Sequence, residues 1–167
     1  RYFYIPEKDQ MHITIEGAEH MTVQLRTHPH KEETPRTFTV HNTFIVSKHD
    51  IAHVQDGDLF RLMDCMNIRK EGSKFICIST DVETYRTANK EQEHGAQIIH
   101  WLPDDDAQLV KVKMRMDDNT IENGIAEKSI TKCEQGAIIQ FERFGFCRLD
   151  SKPEKGDEQF QFWYGHT

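Results

Sequence analysis

The sequence predicts an all-β protein whose short strands close, or nearly close, on one another. Three observations predict it. Apolar and polar residues alternate with period two along most of the chain, and no long helical periodicity is present. Turn signals built from Gly, Asn and Asp recur about every ten residues, the spacing of short antiparallel strands.

The elements follow in order. The chain starts at Arg1 without an initiator Met, as an excised piece of a longer chain would, and runs at once into Tyr2-Phe3-Tyr4-Ile5. Met11-His12-Ile13-Thr14-Ile15 and Met21-Thr22-Val23-Gln24-Leu25 alternate cleanly. Residues 38–46, 59–68, 75–79 and 98–102 read as further strands. One short helix is expected after Ser47, whose hydroxyl can cap it. Asp50 lies in its first turn, Ile51 and Val54 form an apolar edge, and Gly57 would stop it. The clearest strand is residues 109–116, with Val110, Val112, Met114 and Met116 on one face and Lys111, Lys113 and Arg115 on the other. Residues 136–143, 146–150 and 159–164 complete the set. Turns are expected at Asp56-Gly57-Asp58, Asn123-Gly124 and Lys155-Gly156-Asp157, the last closing a hairpin. Two polar stretches, residues 28–36 and 81–95, read as joints. The second has almost no apolar content, which suits a connection that moves or meets a partner.

Bulk properties narrow the class. The net charge is −7, from 21 basic and 28 acidic residues, which does not advertise nucleic-acid binding. The basic residues are grouped, however, at Arg61, Arg69, Lys70 and Lys74, at Lys111, Lys113 and Arg115, at Lys128 and Lys132, and at Arg143 and Arg148. A basic face on an acidic body therefore stays open. No apolar run approaches the roughly 20 residues of a membrane span and no signal peptide is recognisable, so a cytoplasmic location without a membrane partner is expected. Cys65, Cys77, Cys133 and Cys147 show no C-x-x-C spacing and read as reduced thiols.

Phosphate-loop, dinucleotide, nucleophile-elbow and H-E-x-x-H signatures are absent, so no catalytic residue is assigned. His100 reads as structural and Asp104 to Asp106 as a solvated turn. His28, His30, His41 and His49 could offer imidazoles to zinc. Pro29 places the first pair in an extended linker with no cysteine nearby, and no metal ligand is assigned. Two groups remain. Gln140 and Arg143 stand among bulky apolar neighbours in residues 138–151, and Arg61 opens a run that also carries Asp64 and Asn67. A planar amide and a guanidinium on a stiff frame suit base edges and phosphates. A half-buried hairpin with a charged wet face accounts for the same pattern.

The pieces that decide between these readings are Arg1 opening the first strand, His28-Pro29-x-Lys31, Phe60-Arg61-Leu62, Ile98-Ile99-His100-Trp101-Leu102-Pro103, and Gln140-Phe141-Glu142-Arg143 with Leu149-Asp150-Ser151. In this order and spacing, over nearly the whole chain, they resemble the C-terminal anticodon-binding region of class I glutamyl- and glutaminyl-tRNA synthetases of the archaeal and eukaryotic type. The resemblance implies two six-stranded β-barrels, proximal and distal to a catalytic body, with exchanged N-terminal strands. It implies residues 1–27 and 103–167 in the proximal barrel and 28–102 in the distal one. It also implies that Arg1, Arg61, Gln140 and Arg143 contact anticodon nucleotides, whose bases can be splayed out and bonded along their edges. The partners implied are tRNA-Glu, with tRNA-Gln as an extension, and the parent's catalytic domain, but no DNA. ATP and Mg would belong to the parent's upstream domain, where the family's HIGH and KMSKS motifs sit, so this region carries no cofactor.

Residues 51–56 and Met63 depart from the bacterial glutaminyl pattern, where a basic segment and a second arginine stand. They look more like archaeal glutamyl enzymes, some of which charge both tRNAs. The alternatives are a glutaminyl enzyme or a protein-interaction β-domain without RNA binding. The residues impose one geometric condition: Gln140 and Arg143 are three apart, so both can serve one anticodon only if the strand breaks before Gly145.

Overall fold

The computed structural model describes residues 1–167 except Pro29, Glu32, Glu33 and Asp157. The chain begins with β1 (Tyr4–Pro6), β2 (Gln10–Glu16), β3 (Met21–Leu25), β4 (Arg36–Val40) and β5 (Thr43–Ser47). Helix α1 (Lys48–Ala52) leads to β6 (Leu59–Leu62), β7 (Met66–Glu71) and β8 (Lys74–Ser79). Helix α2 (Val82–Glu91) follows, then β9 (Ile98–Ile99) and β10 (Leu102–Pro103). The last strands are β11 (Leu109–Arg115), β12 (Ile121–Glu127), β13 (Ile138–Phe141), β14 (Gly145–Ser151) and β15 (Phe160–His166). The protein is mostly β, with 48% of residues in strands. Among the described residues, no helix is long and apolar enough to cross a membrane.

The chain divides into two compact units. Unit 1 comprises Arg1–Gln10, Arg26–Arg36 and Asp105–Thr167, and unit 2 comprises Met11–Leu25 and Thr37–Asp104.

Unit 1 holds a six-stranded sheet in the order β1-β12-β11-β15-β14-β13. Alternation builds its core as the sequence predicts. Val112 and Met114 of β11 turn inward to meet Phe160, Phe162, Cys147, Leu149, Ile139 and Phe141, while Lys111, Lys113 and Arg115 turn outward. Ring centroids of Tyr4 and Phe141 lie 5.1 Å apart, and those of Phe141 and Phe162 5.2 Å apart. The turn expected at Asn123-Gly124 is instead the middle of β12. The Tyr4 ring lies where a side chain at 124 would project, with its Cζ and Oη 2.7 Å from an added Cβ. Glycine therefore serves close approach at this position, not chain reversal. The reversal falls on residues 117–120, where Asn119 takes φ +67° and the Asp118 carboxylate accepts from Thr120 N at 3.0 Å.

A buried ion pair ties the segments of unit 1 together. Glu127 is fully buried, and its carboxylate accepts from Arg36 Nε at 2.6 Å and Nη2 at 2.9 Å. The Phe3 backbone N–H donates to the same carboxylate at 2.6 Å, and the Ser129 hydroxyl donates to it as well. The Arg36 guanidinium also lies 4.9 Å from the Phe3 ring centroid.

Unit 2 holds a seven-stranded sheet, β10-β5-β2-β8-β7-β6-β9, and the two-stranded pair β3-β4. Trp101 anchors its core, 5.0 Å from Phe38 and 5.5 Å from Phe44 between ring centroids, with its indole N–H donating to Met63 O at 2.9 Å. Each of three expected strands, 38–46, 59–68 and 98–102, is in fact two. Residues 41–42 and 63–65 make turns, with Asp64 at φ +54°, and residues 100–101 separate β9 from β10. Two six-stranded barrels were expected; the sheets number six and seven strands, one of them is a half-barrel, and neither closes into a barrel.

Helix α1 forms where expected, capped by the Ser47 hydroxyl accepting from Asp50 N, but ends at Ala52 before Gly57. The joint expected over 81–95 is largely the helix α2. Its polarity all round hides it from a periodicity reading, but Asp81 is a conventional N-cap. The Gln92 side chain fastens its end to β6, accepting from Leu59 N at 2.7 Å and donating to Leu59 O at 3.0 Å. The expected hairpin between residues 146–150 and 159–164 is β14 against β15, antiparallel. Lys155-Gly156 forms its turn, while Asp157 lies outside the described residues, as does Pro29 of the His28-Pro29-x-Lys31 piece. The four cysteines are free thiols, and burial pushes Cys65 and Cys147 up to about 12.

Two substitutions test this packing. Glu127→Ala leaves a buried guanidinium unpaired and should cost about 3–5 kcal/mol in urea denaturation, whereas replacing Arg36 and Glu127 together by Met and Leu should recover most of the loss. Gly124→Ala should cost about 1–3 kcal/mol in the same denaturation by overpacking against Tyr4.

Candidate nucleic-acid interface

Three of the four expected site residues belong to unit 1. The segment before β1 runs beside β13: Tyr2 N donates to Gln140 O at 2.9 Å, and Glu142 N donates to Tyr2 O at 2.8 Å. This bridge places Arg1 against the end of β13. Arg1 Nε donates to Gln140 Oε1 at 3.1 Å, and its Nη1 lies 3.9 Å from Glu142 Oε2. The Arg1 backbone nitrogen donates to Thr27 O at 2.5 Å, which fixes the base of the side chain while about half of it stays exposed. The Gln140 oxygen is thus held by a cation, leaving its amide N–H groups as directed donors.

The strand breaks where the geometry requires. β13 ends at Phe141, and Glu142, Arg143 and Phe144 form a turn with Phe144 N donating to Phe141 O at 3.1 Å. Arg143 takes φ +59°, a left-handed conformation that few side chains other than Asn and Asp adopt. Gly145 follows at φ +150°, and a Cβ there would stand 2.7 Å from His166 O. The chain can turn only because residue 145 lacks a side chain, and the turn frees Arg143 from the strand's two-face alternation.

Glu142 is the member that sequence reading passed over as a decoration of the wet face. Its signal was present: two residues from Gln140, it shares that residue's face of an extended strand, beside the arginine that opens the chain.

Arg61 lies in unit 2, on β6, and is only 6% exposed. Its Nη1 donates to Asn67 Oδ1 at 3.0 Å and Thr80 O at 3.2 Å, and reaches Asp81 O at 3.5 Å. Asn67 in turn donates to Ser79 Oγ at 2.9 Å and Asp81 O at 2.7 Å. Arg61 therefore satisfies carbonyls at the entry of α2, and the Asn67 flagged with it in the sequence is its partner. Asp81 continues the network by capping α2, accepting from Thr84 N at 2.7 Å and from the Thr84 hydroxyl at 2.8 Å. Those bonds hold its carboxyl down at about 2. Among the described residues, no group of three or more His, Cys, Asp or Glu side chains could hold a metal ion.

Two family models, each described as the anticodon-binding domain of class I tRNA synthetases (E and Q), match residues 1–83 and 98–150. The first range contains Arg1 and Arg61, the second Gln140 and Arg143. The chain belongs to this family. It is 36% identical to a glutamate–tRNA ligase of Methanocaldococcus jannaschii over 169 residues, which covers 99% of the chain and 28% of that protein. It is also 32% identical to glutamate–tRNA ligases of Methanopyrus kandleri and Methanosphaera stadtmanae, over 93% and 100% of the chain and 28% of each relative. The chain thus spans little more than a quarter of the length of the curated relatives it matches.

The cap of α2 gives this anticodon-binding domain a measurable titration. Because the folded pKa of Asp81 is depressed from 3.8, its stabilisation is complete above that value and is lost as pH falls through about 2. The Thr84 amide proton shift, followed by NMR, should titrate with a midpoint near the lower value. A midpoint near 3.8 would mean that the cap does not form.

Proposed function

We propose that this domain recognises the anticodon loop for an archaeal-type glutamate–tRNA ligase, with tRNA-Glu as partner and tRNA-Gln as an additional one. Catalysis, with ATP and Mg, is assigned to the rest of the parent protein. Unit 1 is read as the proximal anticodon-binding element and unit 2 as the distal one, which moves residues 11–25 of the expected 1–27 to the distal element and residues 28–36 to the proximal one.

The observation that carries the reading is the Arg1–Gln140–Glu142 cluster at a strand break that turns Arg143 outward. An unpaired base presents a mixed edge of donors and acceptors. The cluster answers with amide and guanidinium N–H groups beside one carboxylate, and Arg143, exposed at the turn, suits a phosphate or a second edge. Arg1 acts partly through Gln140, since its Nε fixes the amide oxygen and so decides which way the amide N–H groups point. Arg61, bonded within its own unit, is proposed to act by shaping the loop between β8 and α2; the departure at Met63 removes one cationic reader and favours tolerance of both tRNAs.

The test is binding of a stem-loop RNA bearing the tRNA-Glu anticodon. Gln140→Ala and Arg143→Ala should weaken binding by about 1–3 kcal/mol each, with Gln140→Ala also narrowing the gap between cognate and base-substituted loops. Arg143→Ala should in addition reduce the salt dependence by about 0.7 in slope. Parent-like affinity and discrimination in both variants would overturn the site assignment. For the full-length ligase, charging of tRNA-Glu and tRNA-Gln by the same enzyme is expected, and strict preference for tRNA-Gln would favour a glutaminyl enzyme instead.

A further inference from the structure

The outer face of the unit 1 sheet carries a row of side chains that the core does not use. Register places Ile121 of β12 beside Arg115 of β11, Arg115 beside Trp163 of β15, Trp163 beside Arg148 of β14, and Arg148 beside Ile138 of β13. All five point outward by the alternation that sends Met114, Phe162, Cys147 and Ile139 into the core. Trp163 is 43% exposed and Ile138 71% exposed. The Arg115 and Arg148 guanidinium carbons lie 5.0 and 5.6 Å from the Trp163 ring centroid, so an indole and two cations form one unit across three strands.

We infer that this row is a second RNA-contact surface, on which an unpaired nucleotide stacks against Trp163 while Arg115 and Arg148 take its flanking phosphates. The inference rests on the anticodon-binding reading and extends it beyond the Arg1–Gln140–Glu142 cluster. Charge selects the occupant. Lys111 and Lys113 share the face with the two arginines, and Asp150 lies 3.6 Å from Arg148. On a chain of net charge −7 this is a local excess of cations. Ile121 and Ile138 stand at opposite ends with cations between them, so the face offers no continuous apolar patch for a protein partner. A base has a π-face whatever its identity, and an exposed indole beside guanidinium groups is the side-chain set that stacks on it. The row also adjoins the first cluster, since Gln140 lies two residues from Ile138 on the same face of β13, paired with the exposed Phe146.

The chain reports on its own occupancy, because it has two tryptophans and Trp101 is fully buried. Titration with the anticodon stem-loop RNA should quench the solvent-exposed emission and protect it from iodide. Trp163→Ala should weaken binding about ten-fold while the ratio between cognate and base-substituted loops stays that of the parent. Arg115→Ala with Arg148→Ala should reduce the salt slope by about 1.4. RNA binding with unchanged Trp163 emission, parent-like affinity of these variants and a Gln140-dependent discrimination would overturn the inference and leave the anticodon reading standing. Loss of the exposed emission on raising the protein concentration without RNA would overturn it in favour of a second copy of the chain. No binding by the parent at all would overturn both.

Discussion

The Arg36–Glu127 pair is the interaction on which unit 1 depends. Both side chains are almost wholly out of water, where an unmatched charge would be prohibitive, and the two parallel bonds between them offset part of that cost. The carboxylate does more than pair. It accepts the Phe3 N–H, and the Glu127 backbone donates to Phe3 O at 3.2 Å, so residue 3 is clamped from both sides. Once residue 3 is fixed, Tyr2 can only run along β13, and Arg1 falls beside Gln140 and Glu142. The Arg1–Gln140–Glu142 cluster reaches solvent through Arg1, yet its geometry depends on a buried ion pair at residue 3.

A division of labour follows from the pleat. Inward positions of β11, β13, β14 and β15 are apolar and interlock around Phe141 and Phe162, which holds the sheet to one register. Outward positions are then free to vary in chemistry, and here they carry an amide, cations and an indole. Alternation is abandoned at the β13–β14 turn, where the left-handed Arg143 and then Gly145 redirect the chain. Arg143, in a conformation disfavoured for its type, is held there by the hairpin around it.

In unit 2 the same residue type stands in different surroundings. Arg61 is an arginine on a strand, flanked by apolar neighbours, and in sequence it is indistinguishable from a reader of RNA. The fold turns it inward to gather the carbonyls of Thr80 and Asp81, which bring α2 to its starting point. Burial decides which groups it bonds in the domain itself, and burial of a single arginine depends on what packs over it.

The sequence by itself determined the all-β class, the facing of β11, the Ser47-capped helix, the β14–β15 hairpin and the family, because each follows from local periodicity, local turn chemistry or ordered motifs. It also carried the condition that the strand break between Gln140 and Gly145. The tertiary structure alone decided the rest. Gly124 became a strand residue because the Tyr4 ring, over a hundred positions away, fills the space beside it. Within residues 81–95, Val82–Glu91 became a helix, and the Gln92 bonds to Leu59 give this polar segment the anchorage that an apolar stripe usually supplies. Arg1, Gln140 and Glu142 became one cluster through pairing between the two ends of the chain. Contacts of that kind leave no periodic trace in a sequence, since the residues that make them are separated by far more than one turn or one strand.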